Sequence, residues 1–180
     1  MPFDIIPVWK QVTPELQAEL RDMWQANNAL RDPALVASRA EQAVCIARDE
    51  QGKVIAVGTA VLRVLPRLRQ PMYYYRQFFA KELRGRAKAV PFFERAKEIL
   101  EAYNATLPAP QSLGVLLELE NPQLAARYNM AQGDLTTFIG YSLRGLQLRV
   151  SYFKDAVLLP PRDPTRRAGA PAARRAVRAS

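Results

Sequence analysis

The same two-residue signal, a capping side chain followed by proline, marks three helix starts in this chain. The pairs are Thr13-Pro14, Asp32-Pro33 and Asn121-Pro122. The side-chain oxygen of the first residue can accept a hydrogen bond from a helical N–H that has no partner, and proline fits the first helical position because its missing N–H is not needed there. We therefore expect helices to begin at Pro14, Pro33 and Pro122. The second helix should end near Ala40 and the third near Ala131.

Segments rich in β-branched, aromatic and apolar residues lie between these helices and predict strands. The expected strands cover residues 3–12, 43–47, 53–65, 72–79, 113–120, 135–143 and 146–158, with a further amphipathic helix over 90–103. The resulting order is β-α-α-β-β-β-α-β-α-β-β, without an internal repeat. This order predicts one α/β (α+β) domain, residues 1–160, in which a mixed sheet of about seven strands has helices on both faces.

The net charge of +9 is concentrated in two blocks of the sequence. Residues 63–97 carry 10 basic and 2 acidic side chains, and residues 161–180 carry 6 basic and 1 acidic side chain. The second block has too few large apolar side chains to fold, so we expect 161–180 to be a disordered tail. Such a tail can bind nucleic acid, but no aromatic residue lies between its arginines to stack on bases, so this is the lesser alternative.

The chain contains no histidine and one cysteine, Cys45. This composition excludes Ser-His and Cys-His nucleophiles, histidine-ligated zinc and an intramolecular disulfide. Cys45 lies in a predicted inner strand and is expected to be a small core residue. No apolar stretch is long enough to cross a bilayer, and the first residues lack the pattern of a secretory signal. We expect a cytoplasmic protein with no membrane partner.

A six-residue turn, Arg84-Gly-Arg-Ala-Lys-Ala89, separates the aromatic strand 72–79 from the helix 90–103. Its side chains are small or cationic at the point where a helix begins. The N-terminus of a helix presents N–H groups without partners and a partial positive charge, which together favour an anion such as phosphate. Small side chains let a phosphate approach the main chain, so the turn predicts a phosphate site. The alternative is a solvated basic helix start.

Two local motifs each follow a predicted strand and open a helix. Residues 84–89 have the pattern Arg-x-x-Ala-x-Ala, and Asn121 and Tyr128 stand seven residues apart. On these motifs, and on the order of elements over residues 3–158, the chain resembles the GCN5-related N-acetyltransferase (GNAT) superfamily of acetyl-CoA-dependent acyltransferases. That superfamily has glycine where Ala87 stands in the first motif and alanine where Leu124 stands in the second.

The resemblance implies a mostly antiparallel sheet whose fourth and fifth strands splay apart around acetyl-CoA. Main-chain groups from Phe79 to Lys81 would pair with pantetheine, and the amides of residues 85–89 would hold the pyrophosphate. The implied cofactor-binding residues are Phe79, Ala80, Lys81, Arg84, Gly85, Arg86, Ala87, Lys88, Ala89 and Asn121. For Asn121, the role of helix cap is a sufficient alternative explanation.

Transfer of an acetyl group to an amine needs a proton acceptor for the amine and a proton donor for the leaving thiolate. The resemblance implies that Tyr128 is the donor; the alternative is a core aromatic with a satisfied hydroxyl. Glu118 and Glu120 are the candidate bases, since residues two apart in a strand share one face and burial would raise the pKa of a carboxylate. The alternative is a pair of solvated carboxylates.

The sequence therefore predicts an enzyme that moves an acetyl group from acetyl-CoA to a primary amine of a small molecule or a peptide, without a metal. The alternative is a non-catalytic module that binds CoA or nucleic acid through the basic turn and tail. The identity of the acceptor has no signature in the sequence. A homodimer formed through the strands of Tyr141 and Tyr152 stays open.

Overall fold

A computed structural model of the chain describes residues 4–83 and 88–162. The helices and strands follow the predicted order. In chain order they are β1 (Ile5–Pro7), α1 (Pro14–Ala26), α2 (Pro33–Ala40), β2 (Ala43–Arg48), β3 (Val54–Val64), β4 (Pro71–Phe79), α3 (Ala89–Thr106), β5 (Gly114–Glu118), α4 (Pro122–Arg127), β6 (Thr137–Tyr141) and β7 (Gln147–Tyr152). A single 3₁₀ turn, Lys81–Leu83, follows β4.

Within the described ranges, seven strands form one sheet in the order β1-β2-β3-β4-β5-β7-β6. Neighbouring strands are antiparallel except β4 and β5, which are parallel. The ladder between β4 and β5 runs only from Tyr73↔Val115 to Tyr75↔Leu117, although β4 continues to Phe79. The two strands therefore diverge beyond Tyr75, and the predicted mixed sheet with splayed fourth and fifth strands is confirmed.

The three predicted cap-and-proline helix starts are confirmed. Thr13 Oγ1 accepts a hydrogen bond from the Leu16 amide at 3.3 Å at the start of α1. Asp32 Oδ1 accepts from the Ala34 amide at 2.9 Å at the start of α2. Each helix has proline in its first turn, as the sequence requires. The third cap, Asn121, belongs to the candidate site.

Helices cover both faces of the sheet, and the register of β2 on β3 shows which residues face each layer. The cross-strand pair Ile46 and Val57 packs with α1 and α2, whereas the next pair, Ala47 and Ala56, packs with α3. Adjacent pairs point to opposite faces because side chains alternate along a strand. The α1–α2 layer buries Leu16, Leu20, Met23, Trp24 and Val36, and the α3 layer buries Phe92, Phe93, Ala96 and Leu100.

The aromatic strand β4 divides its tyrosines between the two faces. Tyr73 and Tyr75 are buried beneath α3, and Tyr74 faces the opposite layer with Met72. Cys45 is fully buried in the same cluster as Tyr73 and Tyr75, and burial raises the pKa of its thiol to about 12. The expected core role of Cys45 is confirmed.

Two strands, β1 and β7, end at least five residues earlier in the structure than the sequence predicts. The strand expected over 3–12 ends at Pro7, because the chain then turns at Lys10, with φ of 63° and a hydrogen bond from the Gln11 amide to the Val8 carbonyl. The strand expected over 146–158 ends at Tyr152, because the Lys154 amide donates to the Glu101 carboxylate and Asp155 adopts a φ of 57°.

The segment after β7 is held against the loop that precedes β4. The Gln70 side chain donates to the Leu159 carbonyl at 2.7 Å and accepts from the Leu159 amide at 2.9 Å. The Arg162 amide donates to the Arg69 carbonyl at 2.8 Å. Of the tail predicted over 161–180, residues 163–180 lie outside the described residues, and Arg162 is attached to the domain.

None of the described helices is both long enough and apolar enough to cross a membrane. Across residues 4–83 and 88–162, no group of three or more His, Cys, Asp or Glu side chains is arranged to hold a metal ion.

Candidate active-site cleft

A cleft of about 1090 Å³ opens where β4 and β5 diverge. One wall consists of the end of β4, at residues 77–79, and the start of α3, at residues 88–90. The other wall consists of α4 with Leu124, then Tyr128 and the segment up to residue 136. At its base a narrower space of about 80 Å³ reaches between Phe93 of α3 and the end of β5.

The N-terminus of α3 opens onto this cleft. Lys88, at the capping position, makes no side-chain capping bond, and the first turn of the helix contains no acidic residue. Ala89 and Val90 line the cleft. The initial N–H groups of a helix lack intrahelical partners, and the aligned peptide dipoles of an 18-residue helix give this end a partial positive charge. This end of the cleft is therefore suited to an anion.

Gln77 connects β4 with the first residue of α3. The Tyr75 hydroxyl donates to Gln77 Oε1 at 3.2 Å, and Gln77 Nε2 donates to the Ala89 carbonyl at 3.2 Å. The Tyr75 ring lies directly over Gly58 of β3, where a Cβ atom would come within 2.6 Å of the Tyr75 hydroxyl oxygen. Gly58 therefore lets the ring occupy the position from which this hydrogen-bonded chain sets the start of α3.

Arg149 of β7 is the most unusual side chain in the cleft, because it is a cation that is only 2% exposed. Its Nε donates to Thr136 Oγ1 at 2.8 Å, and its two terminal nitrogens donate to the carbonyls of Tyr128 at 3.1 Å and Met130 at 2.8 Å. No salt bridge joins it to a carboxylate of the described chain. Arg149 thus binds the segment 128–136, which forms one wall of the cleft, to the sheet.

Arg149 also explains why α4 is shorter than predicted. The helix was expected to continue to Ala131 but ends at Arg127. The Tyr128 amide makes the last helical bond, to the Leu124 carbonyl at 2.9 Å, and the carbonyls of Tyr128 and Met130 then accept from Arg149 instead of from a further helical turn. Arg149 is not among the site residues predicted from the sequence, where its one signal is an arginine between the apolar Leu148 and Val150 of a predicted strand.

Asn121 and Tyr128, at the two ends of α4, both line the cleft. Asn121 Oδ1 accepts from the amides of Gln123 at 2.8 Å and Leu124 at 3.4 Å, so its capping role is confirmed and its contact with a cofactor stays a prediction. Tyr128 is half-buried, and no side chain or main-chain group of the described residues hydrogen-bonds its hydroxyl. The Tyr128 ring therefore lies in the cleft wall, and its role as a proton donor stays a prediction.

Glu118 and Glu120 lie on the face of the sheet that carries Tyr74, away from the cleft wall formed by α3. Both accept a hydrogen bond from Arg144 Nη2 at 2.8 Å, so the prediction that they share one face is confirmed. Glu118 also accepts from the Tyr74 hydroxyl. Burial acts to raise the pKa of Glu118, but hydrogen bonds from Arg144, Ser142 and Tyr74 outweigh it and lower that pKa to about 2. The expected rise in pKa is thus wrong for Glu118.

Comparison with known proteins gives structural matches only. No protein-family model and no curated protein matches the sequence. Among solved structures, the chain is similar to a GNAT superfamily phosphinothricin acetyltransferase from Sinorhizobium meliloti, determined in complex with acetyl-CoA, with a TM-score of 0.54 and 16% identity over 89% of this chain and 94% of that one. The chain adopts the GNAT fold. A GNAT family acetyltransferase from Streptococcus pneumoniae is also similar, with a TM-score of 0.51 and 12% identity over 85% of this chain and all of that one.

Two predicted cofactor-binding residues of the basic turn, Lys88 and Ala89, lie within the described residues. Lys88 and Ala89 line the cleft at the start of α3, as expected. The preceding part of the turn lies outside the described residues, and the roles predicted for it stay predictions. These residues are Arg84, Gly85, Arg86 and Ala87.

The residues at the end of β4 for which pantetheine contacts are predicted differ in their position relative to the cleft. Phe79 lines the cleft, but Ala80 and Lys81 do not. The Ala80 amide donates to the Ile55 carbonyl at 2.9 Å, and the Lys81 amide donates to Asn27 Oδ1 at 3.3 Å. Both N–H groups thus have partners within the protein, and the pairing of main-chain groups at residues 79–81 with pantetheine stays a prediction.

Proposed function

We propose that the protein is an acetyl-CoA-dependent N-acetyltransferase that moves an acetyl group from acetyl-CoA to a primary amine of a small molecule or peptide. The observation that carries this proposal is the start of α3, which opens without a side-chain cap onto the cleft between the diverging β4 and β5. The structural likeness to an acetyltransferase determined with acetyl-CoA supports the same ligand in this cleft.

The residues of the cleft fit the parts of acetyl-CoA. The first N–H groups of α3 and the cationic side chain of Lys88 suit a pyrophosphate. Apolar side chains farther along, Phe79, Val90 and Leu124, suit the pantetheine arm and the acetyl group. The cleft, at about 1090 Å³, is large enough for a ligand of this size.

The reaction follows from the chemistry of a thioester and an amine. The unprotonated amine nitrogen attacks the thioester carbonyl carbon, a C–N bond forms, and the C–S bond breaks. The amine nitrogen loses a proton and the departing thiolate gains one, so the protons balance. The Tyr128 side chain lines the cleft and is the candidate donor to the thiolate, since a phenol O–H can act as a general acid.

Replacement of Ala89 by aspartate tests the anion site at the start of α3. A carboxylate there occupies the positive end of the helix and repels the pyrophosphate, so acetyl-CoA should bind about tenfold or more weakly by calorimetry. The helix itself should be stabilised slightly, because an acidic residue in the first turn complements the dipole. The matched control is Ala34→Asp in the first turn of α2, away from the cleft. Equal affinities in Ala89→Asp and the wild type would exclude this cofactor site.

A CoA-binding protein without catalysis is the second candidate, and the low pKa of Glu118 favours it by removing one of the two predicted bases. Release of free CoA thiol in the presence of a panel of primary amines distinguishes the two. Saturable binding of acetyl-CoA with no thiol release from any amine would establish the non-catalytic function. The nucleic-acid alternative depends on residues 161–180 and is tested by deleting them and measuring RNA and DNA binding.

A further inference from the structure

Three arginines from separate elements gather on the face of the sheet that carries Tyr74. The guanidinium carbons of Arg63 and Arg76 lie 4.6 and 4.1 Å from the centre of the Tyr74 ring. The β3–β4 register places Arg63 beside Met72, two residues before Tyr74, and Arg76 lies two residues after it. Arg39, in the last turn of α2, is close enough to Arg63 and Arg76 to feel their charge. We call Arg39, Arg63 and Arg76 the arginine cluster.

The arginine cluster has more positive charge than its surroundings neutralise. Glu118 and Glu120 are the nearby carboxylates, and both are already bridged to Arg144. Within residues 4–83 and 88–162, no salt bridge joins any member of the arginine cluster to a carboxylate. Burial, together with repulsion from Arg76 and Arg63, lowers the pKa of Arg39, and Tyr74 and Glu120 only partly offset this. Like charges held together in this way are relieved by a bound anion.

One member of the arginine cluster, Arg76, adjoins the gap between the diverging strands β4 and β5. Arg76 and Gln77 are consecutive residues of β4, immediately beyond the last β4–β5 pair at Tyr75. Their side chains lie on opposite faces: Gln77 lines the cleft, whereas Arg76 packs on Tyr74. An amine that enters the gap toward a thioester in the cleft therefore leaves the rest of its molecule beside the arginine cluster.

We infer that the acceptor is a small amine that also carries an oxyanion, a carboxylate or a phosphate, which the arginine cluster binds. The planar guanidinium group donates paired hydrogen bonds that match both kinds of oxyanion. The guanidinium groups of Arg63 and Arg76 both pack on the Tyr74 ring, so their donors are positioned before the acceptor arrives. This inference rests on the proposed acetyl transfer and names the substrate class for it.

Pairs of acceptors that differ only in the anion test the inference directly. Glycine is compared with glycinamide, and phosphoethanolamine with ethanolamine, by the kcat/KM for thiol release from acetyl-CoA. The two pairs also separate a carboxylate from a phosphate. We expect the anionic member of at least one pair to be preferred by about tenfold or more, which is the usual scale of a charge-assisted hydrogen bond.

Substitutions in the arginine cluster provide a second test of the inference. Arg63→Gln and Arg76→Gln should remove most of the preference for the anionic acceptor through a higher KM, while kcat/KM for the neutral acceptor stays within about twofold, as expected for a lost charge-assisted contact. The matched control is Arg21→Gln, which removes an exposed arginine that pairs with Asp22 on α1. The inference is overturned if neutral acceptors are preferred, or if both variants keep the wild-type preference.

Failure of the proposed acetyl transfer can be distinguished from failure of the anion site. If no amine releases thiol, binding of inorganic phosphate is measured by calorimetry in the Ala89→Asp background, where the helix site is blocked. Phosphate binding that Arg76→Gln abolishes supports the anion site of the arginine cluster even though acetyl transfer fails. Absence of phosphate binding in that background overturns the inference as well.

Discussion

At the scale of single residues, the environment of each carboxylate and phenol decides what it can do chemically. Glu118 illustrates this, because burial and hydrogen bonding act on its pKa in opposite directions and hydrogen bonding outweighs burial. A carboxylate with a pKa of about 2 stays ionised at neutral pH, because protonation would weaken the hydrogen bonds that it accepts. Glu118 is therefore better suited to holding Arg144 and Tyr74 in place than to accepting a proton from an amine.

Acid stability offers a direct test of this role for Glu118. Because the pKa of Glu118 is lower in the folded chain than its ordinary value of 4.5, its contribution to stability is fully present above pH 4.5 and is lost as the pH falls toward 2. The contribution is on the order of 3 kcal/mol by linkage. Urea unfolding at pH 7 and pH 3 should show a smaller acid loss in Glu118→Gln than in the wild type. Glu50→Gln, in the exposed β2–β3 turn, is the control; the same acid loss in all three proteins would contradict the assignment.

Tyr128 is the second residue whose role a single substitution can test. Tyr128→Phe should lower kcat by about a hundredfold, the usual scale of general acid catalysis, and leave the Kd of acetyl-CoA unchanged. The loss should shrink for an acyl donor whose thiolate is a better leaving group, because such a donor needs less protonation. Tyr141→Phe on the exposed edge strand β6 is the control. An unchanged kcat in Tyr128→Phe would remove Tyr128 from the mechanism.

At the scale of helices and strands, the sequence predicted where elements begin better than where they end. Helix starts are local, since Thr13, Asp32 and Asn121 each satisfy an amide two or three residues away. Ends depend on distant partners. The strand expected to reach residue 158 stops at Tyr152 because the Lys154 amide binds Glu101, which is 53 residues away in the sequence. No pattern within either segment encodes that pairing.

Arg149 is the distant partner that ends α4, and it is the strongest test of how the cleft wall is held. Arg149→Met removes the donors to the carbonyls of Tyr128 and Met130 and leaves these acceptors without partners. Loss of a buried, fully bonded charged group should lower the free energy of unfolding by about 3 kcal/mol or more. Urea unfolding measures the loss, and acetyl-CoA affinity should fall with it because the wall loosens. Arg31→Met, at an exposed position between α1 and α2 and away from the cleft, should change neither quantity; a stable Arg149→Met protein would contradict this role.

At the scale of the whole molecule, the candidate site exists only after the sheet has assembled. The splay of β4 and β5 was expected from the resemblance to GNAT proteins, and the ladder that ends at Tyr75↔Leu117 confirms it. The arginine cluster could not be expected from the sequence, because Arg39, Arg63 and Arg76 lie on three different elements and nothing near any of them marks an anion site. The basic turn, by contrast, was visible because its chemistry is contiguous in the chain.

Cys45, the only cysteine in the chain, lies at 0% exposure beneath α3. Burial raises the pKa of its thiol to about 12, so in the closed protein it offers neither thiolate nor access to a reagent. A thiol reagent can then modify Cys45 only when the layer between the sheet and α3 opens. The rate at which Cys45 is labelled therefore reports how often that layer opens, and no engineered probe is needed. A ligand bound at the start of α3 should lower the labelling rate of Cys45.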